Sequence, residues 1–152
     1  MEQKYDSTEN TKKHIKRVQE LLLEIQLNLA RRAAIHDRTK LESPEKEAYD
    51  FIDPILHTLR YGTPEYEECL LKVEEARRHH FNNSLHHPES FYRRIRGMSL
   101  LSIIEMLADW RVASEKPTGG NFRESVEYNI KKYNINDDLA EIFRNTVLEM
   151  GW

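Results

Sequence analysis

The chain has 152 residues, of which 39% are hydrophobic and 32% are charged, and its formal net charge is -3. This length suits one domain with one sizeable core, and the composition lies outside the disordered range. The small negative charge gives no general attraction for nucleic acid or for an anionic membrane, and no apolar run approaches the length of a membrane span.

The cysteine content and the N-terminal residues indicate in which cellular compartment the protein is expected. Cys69 is the only cysteine, so no intrachain disulfide can form, and a reducing setting is favoured. Residues 1–13 are polar and lack the apolar segment of a secretory signal. We therefore expect a cytoplasmic protein.

The pattern along the chain predicts an all-α fold. Glycine and proline number only five each, and no stretch has the alternation of a convincing strand. We expect a single-domain bundle of six or seven helices over residues 9–152, preceded by a flexible lead-in at residues 1–8.

The first helix is predicted to be long and to be covered on more than one side. Ser7 or Thr8 can cap a helix that begins near Glu9. An apolar stripe at three- and four-residue spacing follows, formed by Ile15, Val18, Leu22, Ile25 and Leu29. Leu21, Leu23 and Leu27 widen this stripe. We expect a break at residues 28–32, with His36 and Asp37 on a second, short helix.

Two helix starts mark the middle of the chain. Ser43-Pro44 and Thr63-Pro64 each combine a capping side chain with a proline at the first helical position. Pro54 should kink or end the first of these helices, and Tyr61-Gly62 should stop it. The second is predicted to continue to about His80, followed by a loop over residues 82–89.

The last third contains the most apolar helix, over residues 98–113, which we expect to be central. Residues 116–120 should form a turn. Asn121 and Glu124 resemble a capping box, and residues 134–138 resemble a further helix entry. Gly151 is a plausible C-terminal stop.

His36 and Asp37 are the centre of a candidate metal site. Imidazole and carboxylate groups together bind divalent ions. Neighbouring side chains on a helix point about 100° apart, so the remaining ligands must come from other segments. The chain offers His14 before this pair, and His79-His80, His86-His87 and Asp109 after it.

Each candidate also has a structural interpretation. His36-Asp37 could be a capping pair, and His79-His80 could stabilise a helix C-terminus, but His86-His87 lies in the predicted loop. We prefer His80 and His87 as ligands, with His79 and His86 as alternatives. Asp109 lies on the apolar helix, where a buried carboxylate needs a partner or a metal. Glu105 shares its face, so one of these two could be a structural ion-pair member.

The order of these residues resembles the HD-domain superfamily of metal-dependent phosphohydrolases. The segment from His36 to Lys40 is similar to the HD-x-x-K form of members that hold two metals, and the segment from His86 to Glu89 is similar to a paired-histidine-plus-glutamate element of that branch. The Gly-Tyr-Pro element of the cyclic-dinucleotide branch is absent after Glu89. The whole chain also resembles an uncharacterised family of small phage and bacterial proteins, which brings no established activity.

This resemblance implies a ligand set and a chemistry. The implied metal ligands are His14, His36, Asp37, His80, His87 and Asp109. They would hold one or two divalent ions, with Mn, Fe, Co, Ni, Zn and Mg as the candidates. Asp37, Lys40 and Glu89 are the implied catalytic residues: Asp37 anchors or bridges the ion, Lys40 contacts substrate phosphate, and Glu89 or a non-ligand histidine takes a proton. Arg93, Arg94 and Arg96 are further candidates for phosphate binding.

The expected activity is therefore hydrolysis of a nucleotide or related small phosphoester in the cytoplasm of a bacterial or phage-infected cell. No membrane partner and no direct nucleic-acid partner are expected, and a homo-oligomer is left open. The alternative function is a phage-type module that binds a nucleotide or a host protein without turnover, and a third possibility is a purely structural metal site.

Overall fold

A computed structural model describes residues 5–60, 62–115 and 121–152. These residues form seven α-helices and no strand, which confirms the predicted all-α class. The α-helices are α1 (Thr8–Ile35), α2 (Glu45–Leu56), α3 (Pro64–Leu71), α4 (Glu74–Asn83), α5 (Leu100–Ala113), α6 (Phe122–Lys132) and α7 (Asp137–Glu149). Three short 3-10 helices are Arg38–Leu41, Pro88–Ser90 and Arg94–Gly97. None of the helices in the described ranges is long and apolar enough to cross a membrane.

The chain divides into two compact units, Met1–Ile35 and His36–Trp152. The described part of the first unit consists almost entirely of α1, which continues through residues 28–32, so the predicted break there is wrong. No glycine or proline interrupts this stretch, and helix formers carry the helix on to Ile35. None of the residues of α1 is buried, contrary to the expectation that it is covered on more than one side. A single helix cannot cover its own apolar face.

The second unit contains two hydrophobic clusters. The larger one joins α5, α6 and α7, where the Trp110 ring meets Phe143 edge to face at 5.8 Å. The smaller one joins α2, α3 and the start of α4, and it includes Ile52 and Cys69. Trp110 and Cys69 are therefore core residues.

Several helix ends agree with the capping signals. Thr63 caps α3 by accepting a hydrogen bond from the Tyr66 amide, and Asn121 caps α6 through the Arg123 amide. Gly151 follows α7 with a left-handed φ of 66°. Ser43 makes no such cap, since α2 begins one residue later than predicted, at Glu45. Tyr61 and the turn predicted at residues 116–120 lie outside the described residues.

The helix predicted to run from Pro64 to His80 is two helices. The chain leaves helical geometry at Val73, between α3 and α4. Val73 is buried in the cluster with Ile52 and Cys69, so tertiary packing decides where the chain turns. The new helix continues to Asn83, and the loop predicted over residues 82–89 therefore starts at Ser84. Because α4 starts after this break, the position of the break determines on which faces of α4 His79 and His80 lie.

Candidate metal centre

The turn after α1 presents His36 and Asp37. Asp37 has a left-handed φ of 54°, a conformation that aspartate tolerates better than most residues. Lys40 follows three residues later in the 3-10 helix, where residues at this spacing are eclipsed. Its Nζ atom consequently lies 2.6 Å from Oδ2 of Asp37. The motif from His36 to Lys40 thus forms a local charge pair on the second unit.

One face of α5 supplies two carboxylates to His36. Glu105 and Asp109 lie one helical turn apart on that face. His36 Nδ1 lies 3.0 Å from Oε1 of Glu105, and His36 Nε2 lies 3.8 Å from Oδ1 of Asp109. Asp109 and then Glu105 raise the pKa of His36 to about 9, against the effect of burial. This place attracts positive charge, whether from a proton or from a metal ion.

The end of α4 and the loop after it bring three further imidazoles to Asp37. Nε2 of His80 lies 3.2 Å from Asp37 Oδ1, and Nε2 of His86 lies 3.3 Å from the same oxygen. Nε2 of His87 lies 3.1 Å from Nε2 of His80. His80 and His86 are 1% and 2% exposed, so this convergence is inside the protein.

The charges in the site depend on each other. Burial raises the pKa of Asp37, but His80, His86 and Lys40 outweigh it and hold that pKa well below its usual range. Burial, and then the neighbouring His86, lower the pKa of His87 to about 3. His87 is therefore a neutral imidazole with a lone pair available to a metal.

Two buried atoms at the centre lack a hydrogen-bond partner among the described residues: Asp37 Oδ1 and His86 Nε2. Buried polar atoms are normally paired, so these two point to a ligand that accepts their lone pairs. Two groups of side chains each offer ligand atoms that lie within 4.8 Å of one another: Asp37, His80, His86, His87 and His36, Asp37, His86, Asp109. Imidazole nitrogens with one or two carboxylates are the donor set of Zn, Mn, Fe, Co and Ni sites, so the residues fit a divalent ion.

A second buried carboxylate lies behind the imidazoles. Glu45 is 0% exposed, and its Oε2 lies 2.9 Å from His80 Nδ1. The same oxygen accepts a 2.9 Å hydrogen bond from the Thr39 hydroxyl, and Oε1 lies 2.8 Å from His79 Nδ1. Glu45 lies at the first residue of α2, where the helix dipole favours a carboxylate, but its side chain is an internal acceptor for three donors.

A cavity of about 550 Å³ adjoins the cluster. Its wall includes His80, His87, Asp109, Lys40 and Glu89. Aromatic side chains line it as well, namely Tyr49, Tyr66, Phe81, Trp110 and Tyr133.

Glu89 is fixed at the wall of this cavity. Its Oε1 accepts a 3.0 Å hydrogen bond from the Tyr133 hydroxyl, whereas its Oε2 is buried without a hydrogen-bond partner among the described residues. Glu89 thus has one carboxylate oxygen that is positioned by Tyr133 and a second one with free acceptor capacity.

The structure brings together five of the six residues predicted as ligands: His36, Asp37, His80, His87 and Asp109. Lys40 contacts this group, and Glu89 lines the same cavity. His14 is exposed on α1 in the first unit, and its role as a ligand stays a prediction. Arg93, Arg94 and Arg96 are exposed, and the guanidinium of Arg94 lies 3.9 Å from Glu89.

Within the histidine pairs, the geometry includes His80 and leaves His79 outside, 42% exposed by its side chain. In the second pair, both His86 and His87 are members of the candidate ligand groups. Sequence reasoning kept His86 only as an alternative and missed Glu45, Thr39 and Tyr133 as supporting residues. Pro88, next to His87, was the sequence signal that the second histidine pair lies in a loop. No comparable local signal indicated that Glu45 contacts the site.

Comparison with known proteins gives the family of the chain. The model of a family described as "Family of unknown function (DUF5662)" matches residues 3–149, so the chain belongs to that family. No curated protein matches the sequence. No solved structure matches it either.

Proposed function

We propose that this member of a family of unknown function is a metal-dependent phosphohydrolase that acts on a nucleotide or related small phosphoester. The observation that carries the proposal is the buried convergence of Asp37 Oδ1 with the Nε2 atoms of His80 and His86. The HD-like order of the same residues and the all-helical fold support it further.

Six side chains would hold the ion or ions. His80, His86 and His87 join Asp37 in one group, and His36 and Asp109 join Asp37 and His86 in the other. The two groups overlap at Asp37 and His86, and together they would offer donors for one ion or for two. A bound divalent ion supplies Lewis-acid stabilisation of phosphoryl oxygens and a water that is acidic near neutral pH.

The chain's own residues have separate roles in this proposal. Lys40 lies between Asp37 and the cavity, where its ammonium group can neutralise charge on a phosphoryl oxygen. Glu89, held by Tyr133, offers a carboxylate oxygen that can accept a proton from an attacking water. The aromatic side chains of the cavity wall can pack against the organic part of the substrate.

Phosphate binding should depend on the ion. Each lysine or arginine that lines the cavity in the described ranges is already ion-paired with a carboxylate: Lys40 with Asp37, Lys46 with Asp50, Arg77 with Glu74, and Lys132 with Glu67. Because these carboxylates compensate much of the lysine and arginine charge, the ion has to supply most of the charge that binds a phosphoryl group, and Lys40 adds to it. We place the activity in a reducing cytoplasm, since Cys69 is the only cysteine and is buried.

The test is turnover by purified protein loaded with Mn, Fe, Co, Ni, Zn or Mg, with nucleoside monophosphates, cyclic nucleotides and aryl phosphate mono- and diesters as substrates. We expect hydrolysis with at least one metal, read as phosphate from a monoester or as the phosphomonoester from a diester or cyclic nucleotide. Asp37→Ala should lose this activity, while Asp138→Ala, an exposed residue of α7, keeps it at the wild-type level. Tight nucleotide binding without product would identify a non-catalytic binding module instead. A protein that retains no divalent ion would overturn the proposal.

A further inference from the structure

Two carboxylates lie on the far side of the imidazole rings from Asp37. Glu45 faces Nδ1 of His80 at 2.9 Å, and Glu105 faces Nδ1 of His36 at 3.0 Å and Nδ1 of His86 at 3.3 Å. In each of these three rings, the other nitrogen, Nε2, is the one nearest Asp37 or Asp109. The rings are thus oriented in one sense, with Nδ1 outward and Nε2 toward the centre.

A carboxylate opposite Nδ1 decides where a neutral imidazole carries its proton. An ionised carboxylate only accepts hydrogen bonds, so a ring nitrogen that is hydrogen-bonded to one must be the N–H donor. Nδ1 of His80 makes such a bond to Glu45, whereas Asp37 Oδ1 and Nε2 of His86 make no hydrogen bond among the described residues although they lie close together. The proton is then on Nδ1, and Nε2 keeps its lone pair. The Nε2 lone pairs of His80 and His86 are therefore turned toward Asp37 before any ion binds.

This arrangement explains the two unpaired atoms at the centre. In its neutral form, with the proton on Nδ1, His86 does not donate to Asp37 Oδ1 and offers it only a lone pair from Nε2, although the atoms lie 3.3 Å apart. Two acceptors at that distance repel unless a cation lies between them. The outward carboxylates thus produce the electron-rich centre that a metal relieves.

We infer that Glu45 and Glu105 are positioning residues that fix the Nδ1–H tautomer of the ligand histidines and so preset their Nε2 atoms for a divalent ion. Glu45 is suited to this because it is fully buried and lies at the first residue of α2, which holds it rigidly. Thr39 donates to the oxygen of Glu45 that faces His80, which couples this carboxylate to the segment bearing Asp37 and Lys40. The inference rests on the proposed metal site, but its first test does not need a metal.

The first test is the tautomer of His80 and His86 in metal-free protein, read from imidazole nitrogen chemical shifts at a pH where the rings are neutral. We expect Nδ1 to give the signal of a protonated nitrogen and Nε2 that of an unprotonated one. Glu45→Leu removes both carboxylate oxygens and keeps a side chain of similar volume. In this variant the His80 signals should move toward those of the Nε2–H form. Wild-type rings with the proton on Nε2 would overturn the inference, whatever the metal results are.

The second test is the affinity for Mn²⁺ and Zn²⁺. Loss of such an outer carboxylate typically weakens metal binding about 10–100-fold. We expect that loss in Glu45→Leu and a smaller one in Glu45→Gln, because the glutamine carbonyl can still accept from His80 while its amide faces the exposed His79. Glu105→Gln should likewise bind more tightly than Glu105→Leu.

Control variants separate this role from general damage to the fold. Glu47→Leu, an exposed position of the same helix turn, should keep wild-type affinity and wild-type imidazole shifts. Equal affinity in Glu45→Leu and wild type, with a folded spectrum, would contradict the inference. A wild-type protein with the expected tautomers but no metal affinity would instead count against the proposed function alone.

Discussion

Oδ1 of Asp37 and Nε2 of His86 lie 3.3 Å apart in the interior of the second unit, and neither atom has a hydrogen-bond partner among the described residues. An unpaired buried acceptor costs about 1–3 kcal/mol, so two of them side by side are retained only for a reason. The reason proposed above is a cation that both atoms contact.

His86→Ala tests that reason at the residue where the sequence left two choices. We expect its divalent-ion content to fall well below one ion per chain, because His86 belongs to both candidate ligand groups. His57→Ala, which removes an exposed imidazole on the surface, is the matched control and should keep the wild-type content. Elemental analysis of the purified proteins measures both, and full metal content in His86→Ala would exclude this residue as a ligand.

Glu89→Gln separates a proton acceptor from a metal ligand. Glu89 is outside both ligand groups and is oriented by the Tyr133 hydroxyl at 3.0 Å. We expect turnover to fall about 10²–10⁴-fold, the usual contribution of a general base, while the metal content stays at the wild-type level. Loss of the metal together with activity would show instead that the glutamate is a ligand.

Lys40→Met tests charge neutralisation at the cavity wall. Burial lowers the pKa of Lys40, but the adjacent Asp37 outweighs it and keeps the pKa above its usual value, so the side chain is a stable cation. Its removal should lower the turnover number about 10²–10³-fold, as for other preorganised charge-stabilising donors. Lys46→Met is the control, since that lysine lines the same cavity but pairs with Asp50 at the surface. An equal loss in both variants would argue for a general electrostatic effect and against a specific contact.

The histidine pair of α4 shows why the sequence predicted the participants in the site better than their geometry. His79 and His80 were correctly expected near a helix end, but which one faces inward depends on the rotational phase of α4. That phase is set by the break at Val73, which carries no glycine or proline and follows from burial against Ile52. A continuous helix from Pro64 would have placed both rings differently.

Glu45 is a site residue that could not be identified from the sequence. Its position in the first turn of a helix has a sufficient local explanation, which is a favourable interaction with the helix dipole. Its actual environment is made by Thr39, six residues before it, and by His79 and His80, more than thirty residues after it. Composition and helical periodicity do not encode such a contact, whereas the caps at Thr63 and Asn121 involve neighbours only and were predicted correctly.

Phe143→Ala tests the larger core. The ring is 1% exposed and meets Trp110 edge to face at 5.8 Å. We expect the free energy of unfolding to fall by about 3–5 kcal/mol, because the lost apolar contact leaves a cavity. Ile142→Ala, at the neighbouring position with 55% exposure, should change it by about 0.5 kcal/mol or less. Chemical denaturation followed by tryptophan fluorescence compares the two, and equal losses would contradict the packing of α7 described above.

Tyr66 gives the protein an alkaline limit of stability. Burial, and then the neighbouring carboxylates, raise the pKa of its hydroxyl from 10.0 to about 12. The folded state therefore holds this proton more tightly than the unfolded chain, so the contribution is fully present below pH 10 and is lost as the pH rises through about 12. The shift of about two units corresponds to roughly 2–3 kcal/mol.

We expect Tyr66→Phe, which has no proton to lose, to reduce the fall in unfolding free energy between about pH 9 and pH 12 by an amount of this order. Urea denaturation across that range measures the fall, with Tyr92→Phe as the control at a fully exposed tyrosine. An unchanged fall in Tyr66→Phe would mean that the hydroxyl titrates alike in both states.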